Sequence, residues 1–417
     1  MARKLKFRGL ASISWQWKLV VLLFLLGLCF RLVVFKEPHR EGDELIYLSL
    51  VGQLENGHGY TLQGSWLLKE GRVDRYQYDR PLFFHPPGGI GLFWLFYNIL
   101  GYWGFPLVQI FSYALFFGSM MLLADALDIS SSNAGLLLFA GLTAFNPIMA
   151  HVTTKFWLDG PLLAFSTLAI AVFIRAVLRD DYLWACIGGL ILGYASLIKL
   201  TALLVIPGVA MLAWFLIRPP NVRNFFYLGA CLVVPAIIVQ LPWEFWQWIK
   251  LGTPFPGWAG KPSQTLIENN KYVFYLTVIR SPWIYLSLLP RILWTLVPSI
   301  LLYILLWDDV KTKWWGLSFL VWIAVILAIH IVLGSLGYSK VVRYVILIVP
   351  ASVTLFSLVM IEAIARLRLK SGLSVKKGLT WILTIIGALA FLMEIAAGIL
   401  SSLLYKKAII FPFLGTF

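Results

Sequence analysis

The chain has 417 residues, of which 60% are hydrophobic and only 13% charged, and its mean hydropathy is +0.85. A soluble domain is about half apolar and a quarter charged, so these values exclude one and require a polytopic membrane protein. The net charge of +15, with no basic-aromatic nucleic-acid motif, points to anionic lipid and away from nucleic acid.

The first residues, "MARKLKFRGL", precede an apolar run and have the layout of a signal peptide. The run is long and no small-residue cleavage site follows cleanly, so it is read as a retained first helix. A spanning helix needs about 20 mostly apolar residues. The predicted spans are roughly 18–35, 105–124, 133–150, 160–177, 183–199, 200–217, 224–241, 286–306, 315–333, 341–361 and 379–403, about eleven in all. The stretch 88–101, "GGIGLFWLFYNILG", is short for a span and reads as an interfacial or re-entrant helix. Cys29, Cys186 and Cys231 lie inside apolar runs, with no disulfide framework or zinc spacing. No repeat, low-complexity segment or separate soluble domain is evident. The expectation is an all-α bundle forming a single transmembrane unit over 1–417.

Orientation follows from short loops rich in Lys and Arg. With the N-terminus (Arg3, Lys4, Lys6, Arg8) in the cytoplasm, "IRAVLRDD", "IRPPNVRN", "WDDVKTK" and "ARLRLKSGLSVKK" fall on the same side. The external side then receives two long loops, about 36–104 and about 242–285. Trp, Tyr and Phe make up 16% of the chain and suit interfacial belts.

This map gathers Asp43, Glu44, His85, Lys155, Asp159, Lys199, Lys340 and Arg343 near the outer face. A charge at the centre of a spanning helix costs about 2.5–3.5 kcal/mol on insertion scales, so such groups usually pair or work. Each has a structural reading beside the functional one. Asp43 and Glu44 in "EGDELIY" fit a catalytic carboxylate that takes a proton from an acceptor, or acids in the first turn of a helix. Asp159 in "KFWLDGPLLAF" fits a site carboxylate, an N-cap or a partner for Lys155. Arg80 and His85 precede Pro86-Pro87 in "YDRPLFFHPPGG" and fit an anion site at a helix start, or an ordinary junction. Lys199 interrupts a long apolar stretch, either to bind an anion or to snorkel. Lys340 and Arg343 either grip a lipid phosphate or anchor the interface.

Together "GDELIYLSLVGQLENGHGY", "HPPGG", "FWLDGPLLAFSTLA", "LGYASLIKLTALLVIP", "GTPFP" and "YSKVVRYVILIVP" resemble, in order, membrane glycosyltransferases of the GT-C type. The group of protein O-mannosyltransferases and lipid A aminoarabinose transferases is the most similar. The resemblance runs from about 18 to 361. It implies transfer of a sugar, with inversion, from a polyprenyl- or dolichyl-phosphate donor to an acceptor protein, lipid or glycan on the non-cytoplasmic face. It also implies a plasma membrane of a bacterium or archaeon ahead of the endoplasmic reticulum. Asp43-Glu44 match the family's acidic pair, with Asp43 as base or acceptor-orienting group, and Asp159 matches the second Asp. His85 stands where many relatives have Lys before the double proline. Lys199 and Arg343, with Lys340 and Arg80 in support, fall at basic positions expected near the donor phosphate.

The double proline is followed by Gly-Gly where the family has Leu and an aromatic, and the large C-terminal domain or long insert of some relatives is missing. No clear metal-ligand cluster is visible, and a divalent metal bridging Asp43, Glu44 and the phosphate is left open. The rival readings are an oligosaccharide transferase, a lipid or solute transporter, and an inactive assembly partner. A transporter favours midplane charges and repeated broken helices, a pattern this sequence lacks.

Overall fold

The computed structural model describes residues 14–34, 43–73, 78–83, 85–217, 220–252, 286, 293–307, 313–335, 342–368 and 375–403. Every regular element among the described residues is helical. In chain order the α-helices are α1 (Trp15–Val34), α2 (Asp43–Glu55), α3 (Trp66–Lys69), α4 (Gly88–Leu100), α5 (Gly104–Ala126), α6 (Asn133–Phe145), α7 (Pro147–Val152) and α8 (Asp159–Arg179). There follow α9 (Tyr182–Ile198), α10 (Ile206–Leu216), α11 (Val222–Leu251), α12 (Leu296–Leu305), α13 (Lys313–Ser335), α14 (Val349–Arg368) and α15 (Val375–Leu403). Two longer 3-10 segments, Leu200–Val205 and Val342–Ile348, lead into α10 and α14.

Among the described residues, eight stretches are long and apolar enough to cross a membrane, and the helices Tyr182–Ile198, Leu200–Leu216 and Leu296–Leu305 are shorter. Each lies within or across a predicted span, so the chain is a multi-pass membrane protein. Local chemistry sets several starts: Ser132, Asn146, Asp181 and Asn221 accept backbone N–H groups at the N-termini of α6, α7, α9 and α11.

One break follows the sequence reading and one boundary differs from it. The apolar stretch from Gly88 to Ala126 is a helical hairpin. Gly101 has φ of 58° at the end of α4, and a side chain at Gly104 would strike the backbone of Phe96 and Tyr97, so α4 folds back onto α5. The second loop was expected to begin at 242, yet α11 continues to Leu251 through Pro235 and Pro242. A proline forfeits one backbone bond without ending a helix whose other groups stay satisfied.

The core runs along α14, where every residue from Val349 to Met360 is buried. Outside it, α1, α11 and α15 turn apolar side chains outward, such as Leu25, Ile237, Ile238, Ile385 and Leu389. A bundle bathed in hydrocarbon needs no polar exterior there. At one end of this bundle meet the starts of α2, α4 and α8, the ends of α9 and α11, and the segment Val342–Ile348. The candidate residues among those described collect at that end.

Candidate active site

Asp159 is the first residue of α8, one place inside Leu158, and no side chain caps that terminus. Its carboxylate is not spent on capping. Oδ1 accepts from Lys199 Nζ at 2.7 Å, with the carboxylate side chain 1% exposed and the lysine 11%. Lys199 ends α9 in an extended conformation (φ −151°, ψ 132°), which turns its side chain back to the start of α8. Its ammonium also lies 5.5 Å from the Tyr344 ring centroid. A buried ion pair holds only with good geometry and further partners.

Glu44, in the first turn of α2, is buried and accepts the backbone N–H of Phe156 at 2.8 Å. Phe156 stands three residues before Asp159, so one short loop links the acidic pair to the Asp159–Lys199 pair. Asp43 opens the same turn of α2. Lys155, in that loop, lies over the ring of Trp157 at 4.6 Å, and His151 packs edge-on against the same ring. Gln109 of α5 holds the Trp157 carbonyl at 2.8 Å.

The strap before α4 is fastened from the other side. Tyr60 donates its hydroxyl to the carbonyls of His85 (3.1 Å) and Pro86 (3.2 Å), and Thr61 donates to the carbonyl of Arg80 (2.5 Å). Burial pushes the Tyr60 phenol well above its ordinary value, which keeps it a donor. His85 and Arg80 are half-buried on this strap. The Gly-Gly departure has a steric cause. A Cβ on Gly88 would come within 2.9 Å of the Leu197 carbonyl, and one on Gly89 within 2.5 Å of Leu158. The strap thus presses directly onto the end of α9 and the start of α8, and Tyr194 bonds the Gly88 carbonyl at 3.1 Å.

The structure therefore joins Glu44, Asp159 and Lys199 through bonds, with Asp43 beside Glu44, and sets His85 and Arg80 on the adjoining strap. Arg343 lies in the 3-10 segment just before Tyr344. Lys340 and "TPFP" fall outside the described residues. Those residues supply no group of three or more His, Cys, Asp or Glu side chains able to hold an ion.

Supporting residues were missed by the sequence reading. Arg31 of α1 is fully buried. It donates to Thr153 Oγ1 (2.8 Å) and to the carbonyls of Gly27 (2.8 Å) and Ala144 (3.1 Å), over the ring of Tyr113. Glu394 of α15, also buried, accepts from Asn146 (3.0 Å) and from Thr295 (3.1 and 2.8 Å). Thr153 and Asn146 flank α7, so these two charges fix the helix from which the 153–158 loop departs. An ionisable residue inside a span was the available signal.

Residues 84–243 match the family model described as dolichyl-phosphate-mannose-protein mannosyltransferase. The apo crystal structure of ArnT from Cupriavidus metallidurans superposes with a TM-score of 0.56 at 16% identity, covering 94% of this chain and 75% of that one. The chain shares the fold of ArnT. The apo oligosaccharyltransferase of Archaeoglobus fulgidus is also similar, with TM-score 0.54 and 12% identity over 95% of this chain and 57% of that one. The same enzyme tethered to an acceptor peptide carrying the NVT sequon gives 0.54 at 13% identity, over 94% and 55%. This chain thus spans three-quarters of ArnT and little more than half of the oligosaccharyltransferase. No curated protein matches it in sequence.

Proposed function

We propose that the protein is a glycosyltransferase that moves a sugar from a polyprenyl- or dolichyl-phosphate donor to an acceptor on the non-cytoplasmic face, with inversion. The observation that carries this reading is the buried Asp159–Lys199 pair, tied through Phe156 to the Asp43-Glu44 turn at one end of an apolar bundle. Acid, base and cation converge there next to hydrocarbon, as a reaction on the headgroup of a lipid requires.

An ammonium carries three N–H donors. Asp159 takes one and sets the direction of the other two toward the donor phosphate. His85 and Arg80 lie on the strap, and Lys340 and Arg343 precede α14 in the sequence. These cations stabilise the negative charge that grows as the anomeric C–O bond to phosphate breaks. The acceptor nucleophile attacks the anomeric carbon from the side opposite the phosphate, and Asp43 takes its proton. Glu44 is held by the Phe156 N–H and steadies the turn that carries Asp43. The family description over 84–243 supports a polyprenyl-type donor, and the acceptor is a protein, lipid or glycan.

The test is incubation of purified protein with radiolabelled polyprenyl-phosphate sugars, scoring sugar lost from the lipid by transfer or slow hydrolysis. Loss that depends on Asp43, judged against Asp43→Asn, supports the reading and names the sugar. A folded protein that consumes no donor overturns it.

A further inference from the structure

At its outer end α11 is amphipathic in the inverted sense. Gln240, Trp243, Glu244 and Gln247, at intervals of three and four residues, are buried, while Leu241, Phe245, Trp246, Trp248 and Ile249 are exposed. Polar side chains at a membrane helix that turn inward mark a polar chamber or a pathway. This stripe is fastened to the proposed active site at two points. Ser196, three residues before Lys199, donates to Gln240 Oε1 at 2.9 Å, and Gln240 Nε2 donates to Glu244 at 2.5 Å. Trp243 stands edge-on to Tyr60 at 5.7 Å, and Tyr60 is the residue that holds the carbonyls of His85 and Pro86.

Trp243 is 8% exposed, whereas Trp246 and Trp248 of the same helix are 52% and 56% exposed. It is thus not an interfacial anchor like its neighbours. Its indole Nε1 finds no hydrogen-bond partner among the described residues. A buried tryptophan N–H usually has one, so the orphan donor marks a place where a ligand supplies the acceptor. The adjacent Glu244 accepts from Gln240 and, as a carboxylate, can take more than one hydrogen bond. A donor with the Tyr60 ring against it, and a carboxylate at the next position of the same buried stripe, are matched to neighbouring hydroxyl groups, each of which both gives and accepts. A carboxylate here is ill suited to the phosphate itself.

We propose that Trp243 and Glu244 form the subsite that recognises the hydroxyl groups of the donor's sugar ring. Trp243 donates to one hydroxyl oxygen and Glu244 accepts from a neighbouring hydroxyl. This inference rests on the glycosyltransferase reading and adds its specificity determinant.

The test compares wild type with Trp243→Phe and Glu244→Gln on the donor that wild type consumes and on its singly deoxygenated sugar analogues. Acceptor-free hydrolysis is measured separately from transfer. Trp243→Phe keeps an aromatic ring facing Tyr60 and removes the N–H together with the pyrrole part of the indole. It is expected to raise the donor KM about 3–10-fold in hydrolysis as well as transfer. Wild type should reject one deoxy analogue, and Trp243→Phe should treat that analogue and the parent sugar alike. Glu244→Gln, which can still accept from Gln240, should shift preference at a different hydroxyl. A change confined to transfer assigns the subsite to a carbohydrate acceptor and overturns the donor assignment. An active wild type whose two variants, with unchanged thermal midpoints, keep its analogue profile overturns the subsite alone. If Trp243→Phe fails to fold, the Glu244→Gln profile decides. A wild type that consumes no donor overturns the glycosyltransferase reading, and the subsite with it.

Discussion

The two ends of the bundle carry their charges in opposite ways. At the site end Asp159 and Glu44 are 1% and 3% exposed and each is held by a defined partner. At the other end Arg175 meets Asp125 at 2.8 Å with side chains 29% and 53% exposed, and Asp180 bonds Asn224 in the open. Water solvates the second group whether or not it pairs. The first group has left water and must be compensated by the fold. Charges kept under that penalty are the ones with a task.

Mutation can break this contrast, and the largest effect is expected in chemistry. Asp43→Asn should lower donor consumption about 10²–10⁴-fold, the range for a general base, with no change in thermal midpoint. A variant that retains full turnover removes Asp43 from the reaction. Lys199→Met leaves the Asp159 carboxylate buried and uncompensated. It should cost about 3–5 kcal/mol of stability, seen as a lower unfolding midpoint in detergent. The double variant Lys199→Met, Asp159→Leu should recover most of that stability and none of the turnover. Recovery of both would make the pair purely structural.

Smaller effects sharpen the comparison. Glu44→Ala strips the buried Phe156 N–H of its acceptor and should cost about 1–3 kcal/mol. Gly88→Ala forces a Cβ onto the Leu197 carbonyl and should cost about 1–3 kcal/mol, with reduced donor turnover because His85 shifts with the strap. At the opposite end Arg175→Ala should change stability by about 0.2–1 kcal/mol and leave turnover intact. A larger loss there would erase the distinction between the two ends.

Much of the candidate site was legible because its residues break local rules. A lysine at 199 amid apolar residues, an Asp opening a span and two acids after the first helix are visible without coordinates. Their partners were not. Lys155, four residues before Asp159, was the obvious mate in sequence, yet the extended backbone at Lys199 brings a residue forty positions away into contact. Arg31 and Glu394 stand alone in apolar helices, and their bonds to Thr153 and Asn146 cross 122 and 248 positions. Trp243 and Glu244 lay in the segment read as the external loop of about 242–285, whereas α11 continues to Leu251.

The sequence by itself determined that the chain is a helical membrane protein, roughly where its helices lie and which charges are costly. Hydropathy and single-residue transfer energies are local quantities, readable in one dimension. Only the tertiary structure decided which charge neutralises which, that Gly88 and Gly89 are required by contact with α9 and α8, and that α11 turns its polar face inward. Those outcomes depend on helices distant in sequence approaching within a hydrogen bond, and packing alone sets those distances.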